Sequence, residues 1–170
     1  MSAKPTFLNF AYGSNMLMRR LCERAPSARP VDVARLPGYA LRWHKVGQDG
    51  SGKCDIVPVE VPGAKVLGVV YEILVCEKGA LDAAEGLGKG YDEKQVRVDT
   101  AAGELQAQLY VATTVDSAAI PYDWYKALVV AGAKEHGLEA AYVSQLEATV
   151  AQVDANAQRG SANFALANRG

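Results

Sequence analysis

The sequence predicts an α+β fold in which a mixed, largely antiparallel β-sheet or β-barrel is flanked by helices. Three observations lead to this prediction. Short β-branched segments separated by turn residues fill most of the chain up to residue 113. From Pro121 onward the apolar residues recur at helical spacing instead. No internal repeat or long linker divides the 170 residues, so we expect a single domain spanning residues 1–170.

The predicted strands are runs of apolar and β-branched residues that end at glycine, proline or polar turn residues. They cover residues 7–12, 31–36, 39–46, 56–61, 66–75, 95–99 and 105–113. In the last strand every second residue from Leu105 to Val111 is apolar, which places these side chains on one face. The last two strands are close enough in sequence to pair as an antiparallel hairpin.

Helices are predicted where apolar residues recur every three or four positions. One helix over about 14–23 stops before a proline, and another over 78–86 is closed by a glycine. Two amphipathic helices in the last third are expected to cover the sheet. Their apolar stripes are Tyr122, Tyr125, Leu128, Val129 and Gly132 in the first, and Leu138, Tyr142, Leu146, Val150 and Val153 in the second. The segment 156–170 has little apolar periodicity, so we predict a loosely ordered tail.

Composition and charge indicate a globular protein that binds small molecules rather than nucleic acid or membrane. Hydrophobic residues make up 49% of the chain, which is enough for a sizeable core. Eighteen basic and nineteen acidic residues give a net charge of −1, which attracts neither a nucleic-acid backbone nor an anionic membrane. No apolar run reaches the roughly 20 residues that span a bilayer. Residues 1–6 lack the order of a signal peptide, so we expect a cytoplasmic protein.

The cysteines and histidines form no pattern typical of a metal site or a disulfide. Cys22, Cys54 and Cys76 are widely spaced without a CxxC pair, and His44 and His136 are the only imidazoles. We expect three free thiols that serve packing. The two histidines are interpreted as surface or core residues, and no metal site is expected.

Two glycine-rich segments imitate nucleotide-binding motifs. Residues 47–54 nearly spell a phosphate-binding P-loop, but Cys54 stands where the magnesium-binding hydroxyl belongs. The residues that follow contain Pro58 and look extended, whereas a P-loop opens a helix. Residues 86–90 imitate a dinucleotide fingerprint but follow a helix rather than a strand. We interpret the first segment as a hairpin turn and the second as a flexible loop.

The segment Tyr12-Gly13-Ser14-Asn15 is a candidate anion-binding turn. An apolar strand runs straight into it and a helical pattern follows, so unpaired backbone N–H groups are expected there. Such groups bind carboxylates or developing oxyanions. An ordinary sharp turn with a capping Ser14 or Asn15 explains the same residues equally well. A nucleophilic Ser14 is disfavoured, because the Gly-x-Ser-x-Gly pattern and an obvious histidine partner are missing.

Glu85 is the candidate acid/base. It is predicted near the C-terminal end of the helix 78–86, where a carboxyl could lose some of its solvent and become suited to proton transfer. The alternative is a solvated helix residue, which is the usual position of a glutamate. Tyr91, Tyr110 and Tyr125, taken one at a time, are typical of the edge of a core. Together the turn and the acid suggest acyl chemistry without a covalent nucleophile.

Several blocks of sequence occur in an order and spacing that match a known family. The strongest is Leu-Asp-Ala-Ala-Glu-Gly at 81–86, followed by Gly-Tyr at 90–91. The others are Phe-Ala-Tyr-Gly-Ser-Asn at 10–15 and the segments 24–28, 34–36, 68–71 and 132–138. Together they resemble the γ-glutamylcyclotransferase family, whose fold is also called AIG2-like. The likeness covers about residues 7–146 and is more specific than any one block.

The resemblance implies a closed or nearly closed mixed β-barrel with the turn after the first strand and Glu85 in one cavity. It implies that a small γ-glutamyl amino acid or γ-glutamyl amine cyclises to 5-oxoproline and releases the free amine, without cofactor or metal. Glu85 would be the catalytic proton shuttle, first base and then acid. The substrate-binding residues implied by the match are Tyr12, Gly13, Ser14, Asn15, Tyr91, Tyr110 and Tyr125.

The substrate and the partners stay open among relatives that share this resemblance. The alternatives are a γ-glutamylamine cyclotransferase, an enzyme that removes a γ-glutamyl group from an antibiotic precursor, and a noncatalytic relative that only binds a ligand. We expect a small-molecule γ-glutamyl substrate, a role in glutathione metabolism, and neither a nucleic-acid nor a membrane partner. A homodimer is one candidate, but the sequence does not decide the oligomeric state.

Overall fold

The computed structural model describes residues 4–169, and residues 1–3 and 170 lie outside the described part. The strands are β1 (Thr6–Ala11), β2 (Arg29–Pro37), β3 (Tyr39–Val46), β4 (Gly52–Pro58), β5 (Lys65–Leu74), β6 (Tyr91–Thr100) and β7 (Gly103–Ala112). The helices are α1 (Met18–Cys22), α2 (Lys78–Glu85), α3 (Asp123–Glu135), α4 (Ala140–Glu147) and α5 (Ala157–Asn168). Short 3₁₀ turns cover Ser14–Met16 and Val75–Glu77.

Five strands close into a barrel in the order β1-β5-β2-β6-β7. Neighbouring strands are antiparallel, except that β7 closes the barrel by running parallel to β1, where Asn9 lies opposite Gln108. The two remaining strands, β3 and β4, form a separate antiparallel hairpin. The predicted α+β class with a mixed, largely antiparallel barrel is therefore confirmed. The single domain over residues 1–170 stays a prediction.

One hydrophobic cluster joins the barrel strands to α3. Phe10, Tyr71 and Leu109 on the strands and Leu128 and Val129 on α3 are each at most 1% exposed. This burial explains why β5, which is buried from Val66 to Tyr71, is apolar over most of its length. None of the described helices is both long enough and apolar enough to cross a bilayer.

The helix predicted over 14–23 is interrupted in the structure. After the 3₁₀ turn Ser14–Met16, Leu17 is extended with φ −71° and ψ 113°, and α1 begins only at Met18. The Tyr71 hydroxyl donates to the Met16 carbonyl at 2.7 Å and so occupies a group that a continuous helix would use. The correction therefore comes from a tertiary contact, which local periodicity does not reveal.

The strand predicted over 56–61 begins about four residues too late. β4 covers Gly52–Pro58, because its pairing with β3 runs from Val46 opposite Gly52 to Tyr39 opposite Pro58. Proline has no N–H to continue the ladder, which fits the end of the strand. Residues 47–51 make the turn of this hairpin, as we predicted for the segment that imitates a P-loop.

The stripe predicted for the last amphipathic helix is too long. Val150 and Val153 are 73% and 81% exposed, because α4 already ends at Glu147. The chain then turns back, and Gln152 forms a short parallel bridge with Tyr122. This bridge is incompatible with a helix that continues through residue 153.

The segment 156–170, predicted as a loosely ordered tail, instead forms α5 over Ala157–Asn168. The Asn156 side chain caps the helix by accepting from the Arg159 N–H at 3.0 Å. The Arg159 guanidinium donates to Asp154 at 2.6 Å, and Asp154 also accepts from the indole N–H of Trp124 at 2.8 Å. Packing against α3 thus stabilises a helix whose own apolar pattern is weak.

Gly132 on α3 packs directly against the interrupted segment, and its substitution tests that contact. A Cβ atom here would lie 2.5 Å from the Leu17 nitrogen and 2.7 Å from the Met16 carbonyl carbon. We expect Gly132→Ala to lower the free energy of unfolding by about 1 to 3 kcal/mol, because α3 or the 3₁₀ turn must shift. In the control Gly160→Ala the new Cβ meets Trp124 only at 3.8 Å. In that variant the free energy of unfolding should rise by about 0.5 to 1 kcal/mol. Equal urea midpoints for the two variants would contradict the argument.

Candidate active site

One cavity at the end of β1 brings together all the residues that the sequence singled out for the site. The members predicted from the sequence are Tyr12, Gly13, Ser14, Asn15, Glu85, Tyr91, Tyr110 and Tyr125. Asn9, Phe10, Ala11 and Cys54 complete the lining. The cavity volume is about 40 Å³. It is therefore a small recess that can hold one end of a small molecule.

The turn after β1 leaves backbone donors unpaired at this cavity. Gly13 approaches β4 so closely that a Cβ atom on it would lie 3.1 Å from the Cys54 Cβ and 3.3 Å from the Tyr125 hydroxyl oxygen. Among the described residues, no acceptor pairs with the backbone N–H of Ser14 or Asn15. The element that follows is a 3₁₀ turn rather than the predicted helix N-terminus. Its free N–H groups nevertheless match the expectation for an anion-binding turn.

Glu85 is the last residue of α2, and its carboxylate faces the turn. Its Oε1 accepts from Asn15 Nδ2 at 2.7 Å and from Arg24 Nη1 at 2.9 Å. Its Oε2 accepts no hydrogen bond from another described residue. Gly86 ends the helix directly afterwards in the left-handed conformation, with φ 72° and ψ 43°. One carboxylate oxygen is thus held while the other is available to a ligand.

Arg24 is a site residue that the sequence analysis did not single out. Its Nη1 also donates to Asn15 Oδ1 at 2.7 Å, which closes a triangle of arginine, asparagine and carboxylate. The Glu85 side chain is 14% exposed and that of Arg24 is 23% exposed. The predicted acid is therefore one half of a partly buried ion pair. Arg24 stood in the family-like block at 24–28, which was the only available signal.

Three of the cavity tyrosines are held by hydrogen bonds to the backbone. The Tyr12 hydroxyl donates to the Tyr110 carbonyl, and the Tyr91 hydroxyl donates to the Cys54 carbonyl at 2.8 Å. The Tyr125 hydroxyl accepts from the Cys54 N–H at 3.1 Å. Burial raises the pKa of Tyr12, Tyr91 and Tyr125 well above the ordinary tyrosine value. These phenols therefore stay neutral at physiological pH and shape the wall rather than act as bases.

Tyr110 connects the helix that carries Glu85 to the barrel. Its hydroxyl donates to Asp82 Oδ1 at 2.6 Å, and Lys78 holds the other oxygen of Asp82 at 2.9 Å. Burial, and then the Asp82 carboxylate, raise the pKa of Tyr110. Because Asp82 lies on α2 less than one turn before Glu85, this contact fixes the position of the acid relative to β7.

Cys54 lines the cavity but is not a poised nucleophile. It is 2% exposed, and burial raises the pKa of its thiol to about 12. A thiol at neutral pH is far less nucleophilic than a thiolate. All three cysteines are free, with Cys22 half-buried and Cys76 exposed. The packing role expected of Cys76 is therefore wrong, because it lies in the solvent-exposed 3₁₀ turn before α2.

The difference between these thiols predicts a selective labelling pattern. We expect iodoacetamide at pH 8 to modify Cys76 quickly in the native protein and to leave Cys54 intact, because Cys54 is both protonated and enclosed. Cys54 should react once urea unfolds the chain. Peptide mass mapping before and after unfolding measures the pattern. Rapid native labelling of Cys54 would show that the wall of the cavity opens in solution.

A wider cleft opens from the same cavity and has a volume of about 640 Å³. Ser14, Glu85, Tyr91 and Tyr125 line both the cavity and the cleft. The cationic residues of the cleft are Arg20, Arg24, Lys45, Lys53, Lys89 and Arg159. Its acidic residues, within the described part of the chain, are Asp49 and Glu85. The cleft is therefore markedly more basic than the protein as a whole.

Asn9 is a second residue that the sequence did not single out. It lies inside the barrel and is 2% exposed, and its Oδ1 has no hydrogen-bond partner among the residues described. A buried amide oxygen without a partner is rare and suits a ligand donor. The histidines lie elsewhere, with His44 bonded to Asp55 and His136 to Tyr71, both at 2.7 Å. Residues 4–169 contain no group of three His, Cys, Asp or Glu side chains arranged to bind a metal.

Comparisons with known proteins identify the family. A model of the AIG2-like family matches residues 65–146, which include Glu85. The chain is similar to human gamma-glutamylcyclotransferase, at 37% identity over 149 residues that cover 84% of this chain and 78% of the human protein. The mouse protein of the same name is 36% identical over 156 residues, with the same coverage of 84% and 78%.

A solved structure described as a gamma-glutamyl cyclotransferase agrees with these relatives. It superposes with a TM-score of 0.85 at 31% identity and covers 98% of this chain and 100% of its own. Fold and sequence therefore lead to the same assignment, which confirms the resemblance found in the sequence blocks. The chain belongs to the γ-glutamylcyclotransferase family.

Proposed function

We propose that this chain converts small γ-glutamyl amino acids into 5-oxoproline and the free amino acid. The observation that carries the proposal is the free Oε2 of Glu85 beside a cavity with unpaired backbone donors. Kinship with proteins named gamma-glutamylcyclotransferase supports the reaction type. Because one molecule supplies both the nucleophile and the carbonyl, the site has to fold the substrate and move protons.

Glu85 is the proton shuttle in this reaction. Its Oε2 takes a proton from the substrate's α-ammonium group, and the freed nitrogen lone pair attacks the γ-carbonyl carbon. The new C–N bond closes a five-membered ring and leaves an oxyanion. Glu85 then protonates the leaving nitrogen, the old C–N bond breaks and the carbonyl re-forms. The ring nitrogen then loses a second proton, so two of the three ammonium protons end on the released amino acid and the third stays on the ring nitrogen.

The turn after β1 stabilises the oxyanion in this proposal. The unpaired N–H groups of Ser14 and Asn15 are the donors, and each well-placed donor contributes about 3 kcal/mol. Favourable orientation for ring closure contributes roughly 7 to 11 kcal/mol more. These two terms together are large enough for a site without a covalent nucleophile. In this reaction the γ-glutamyl acyl group moves from one nitrogen to another within one molecule, which is acyl transfer. Because an amine is released at the same time, the reaction is also lyase chemistry.

The remaining cavity residues bind the γ-glutamyl group. Asn9 Oδ1 accepts a hydrogen bond from the α-amino nitrogen of the substrate's γ-glutamyl group, since this buried oxygen has no partner within the described chain. The residues that enclose the group are Tyr12, Gly13, Ser14, Asn15, Tyr91, Tyr110 and Tyr125. The Tyr91, Tyr110 and Tyr125 rings form the wall of the cavity.

The cellular setting is part of the same proposal. Three unpaired thiols suit a reducing compartment, so we place the protein in the cytoplasm. Glutathione is itself a γ-glutamyl peptide, which connects the reaction to glutathione metabolism. A homodimer is an expectation that analytical ultracentrifugation tests.

The direct test is release of 5-oxoproline from γ-glutamyl-alanine. We expect the purified protein to form 5-oxoproline and alanine in equal amounts, measured by chromatography. The control is α-glutamyl-alanine, which has the same atoms but carries its amide on the other carboxyl group, so it should not be converted. Without product from γ-glutamyl-alanine, glutathione and γ-glutamyl-glutamate alike, the proposed activity is wrong.

A noncatalytic binding role is the competing function. The cavity would bind a γ-glutamyl peptide without turning it over, as a fold can do after its chemistry is lost. Glu85 with a free Oε2 argues against this role, because binding alone requires no proton shuttle. Titration calorimetry that finds tight binding, together with no product over hours, would favour it.

A further inference from the structure

Lys45 is the most unusual charged residue of the cleft. It is only 8% exposed. Among the described residues, no hydrogen-bond acceptor and no carboxylate within 4.0 Å pairs with its Nζ. Lysine side chains are rarely this buried without a carboxylate partner, because burial removes part of the solvent around the ammonium group. The proposed reaction does not use this cation, so its position needs another explanation.

The local structure directs this side chain into the cleft. Between Arg42 and Lys45, β3 has one residue more than β4 opposite it, which is a β-bulge. Bulges change the direction of a side chain and are common beside active sites. The Lys45 Nζ lies 4.7 Å from the centre of the Tyr91 ring, beneath the loop that follows Glu85. A Cβ atom at Gly90 would come within 3.1 Å of it, so glycine there leaves room for the ammonium group.

The other charges of the cleft leave Lys45 unneutralised. Asp49 is bonded to Lys53 at 2.8 Å, and Glu85 is bonded to Arg24 at 2.9 Å. Burial lowers the pKa of Lys45, while Glu85 and Asp49 oppose that shift from a distance. A ligand carboxylate would provide the missing counter-charge directly.

Arg20 adds a second cation without a carboxylate partner. Its guanidinium donates to Ser14 Oγ at 3.0 Å and to Asn163 Oδ1 at 3.3 Å, and both acceptors are neutral. Arg159 is different, because Asp154 neutralises it at 2.6 Å. The unneutralised cations therefore lie on the cleft residues Arg20 and Lys45 and on the exposed Lys89. A leaving group that enters this cleft meets positive charge.

The cavity and the cleft divide a γ-glutamyl substrate into two parts. With the γ-glutamyl group in the small cavity, the bond to be broken lies beside Glu85, and the leaving amine lies in the cleft. We infer that Lys45 binds the carboxylate of the leaving amino acid and thereby selects γ-glutamyl α-amino acids over γ-glutamylamines. This inference rests on the proposed function. It also disfavours cationic leaving groups such as aminoglycosides, because the unneutralised cations of the cleft repel a like charge.

The test compares two substrates that differ by one carboxylate. γ-Glutamyl-ethylamine is γ-glutamyl-alanine without the α-carboxylate of the leaving group. In the wild-type protein, kcat/KM for γ-glutamyl-alanine should exceed kcat/KM for γ-glutamyl-ethylamine by a ratio of at least about ten. In Lys45→Met this ratio should fall about 10- to 100-fold, which is the usual effect of a lost charged hydrogen bond. Lys45→Arg keeps the charge and should retain most of the preference.

Lys134→Met is the matched control, because it removes a lysine that lies outside the cleft, 59% exposed and paired with Glu147 at 2.6 Å. We expect its substrate ratio to stay within about twofold of wild type. A general loss of folded protein lowers the apparent kcat/KM for both substrates equally and leaves their ratio unchanged. The ratio therefore reports on the contact with the carboxylate alone. An unchanged ratio in Lys45→Met, an equal fall in Lys134→Met, or a wild type without preference would each overturn the inference. Failure of the proposed function is distinguishable, since the wild type would then convert neither substrate.

Discussion

Glu85→Gln is expected to lower kcat for 5-oxoproline release from γ-glutamyl-alanine by about 10²- to 10⁴-fold. Glutamine has nearly the same shape, and its amide oxygen can still accept the hydrogen bonds that Asn15 and Arg24 donate to Oε1. The variant lacks an oxygen that can take up and return a proton. We therefore expect KM to change little while turnover is lost, which steady-state rates over a range of substrate concentrations measure.

Glu139→Gln is the control for this substitution. Glu139 pairs with Lys65 at 3.0 Å on the surface, and its side chain is 55% exposed. Removing that carboxylate should leave kcat within about twofold of wild type. Thermal unfolding midpoints of both variants report whether the fold is intact. If Glu85→Gln were folded and as active as Glu139→Gln, Glu85 would have no part in the proton transfer.

Individual strands and helix ends could be predicted because they carry their signal locally. β3 has the predicted bounds, Tyr39–Val46, and Gly86 ends α2 in the left-handed conformation that a C-terminal glycine favours. The family and its cyclotransferase activity, predicted from ordered sequence blocks, agree with the curated relatives. The order of strands in the barrel was beyond the sequence, because pairing between distant strands leaves no periodic trace.

The wrong helix bounds share one physical cause. The helix over 14–23 is broken where the Tyr71 hydroxyl, 55 residues away, donates to the Met16 carbonyl. The predicted tail is helical because Trp124, 30 residues away, donates to Asp154 just before α5. Both contacts join segments far apart in sequence. A reading that depends on local spacing cannot include them.

The same limit explains which site residues were found. The turn 12–15 and Glu85 stand in motifs that occur as blocks, so the sequence could single them out. Arg24 could not be singled out, because its contact with Glu85 joins residues that are 61 positions apart in the sequence. Lys45 depends on a bulge in β3, and Asn9 on closure of the barrel between β1 and β7. Their roles come from the arrangement of elements rather than from residue type or spacing.

Arg24→Met is expected to lower kcat about 10- to 100-fold and to change KM for γ-glutamyl-alanine little. The Arg24 Nη1 donates to Glu85 Oε1 at 2.9 Å and to Asn15 Oδ1 at 2.7 Å, so it holds the carboxylate against the turn. Methionine fills a similar volume but donates no hydrogen bond. Glu85 then keeps only Asn15, and its Oε2 loses its defined position relative to the substrate. Steady-state kinetics separate the two parameters.

Two matched variants separate positioning from loss of charge or structure. Arg19→Met removes an arginine from α1 whose ion pair is with Glu135 at 4.0 Å, so kcat should stay near that of wild type. Arg24→Lys keeps a charged donor without the planar guanidinium and should recover part of kcat. If Arg24 binds a carboxylate of the substrate instead, KM rises and kcat is maintained, which excludes the positioning role. A fall in kcat alone, partly restored by lysine, means that turn, arginine and glutamate act as one catalytic unit.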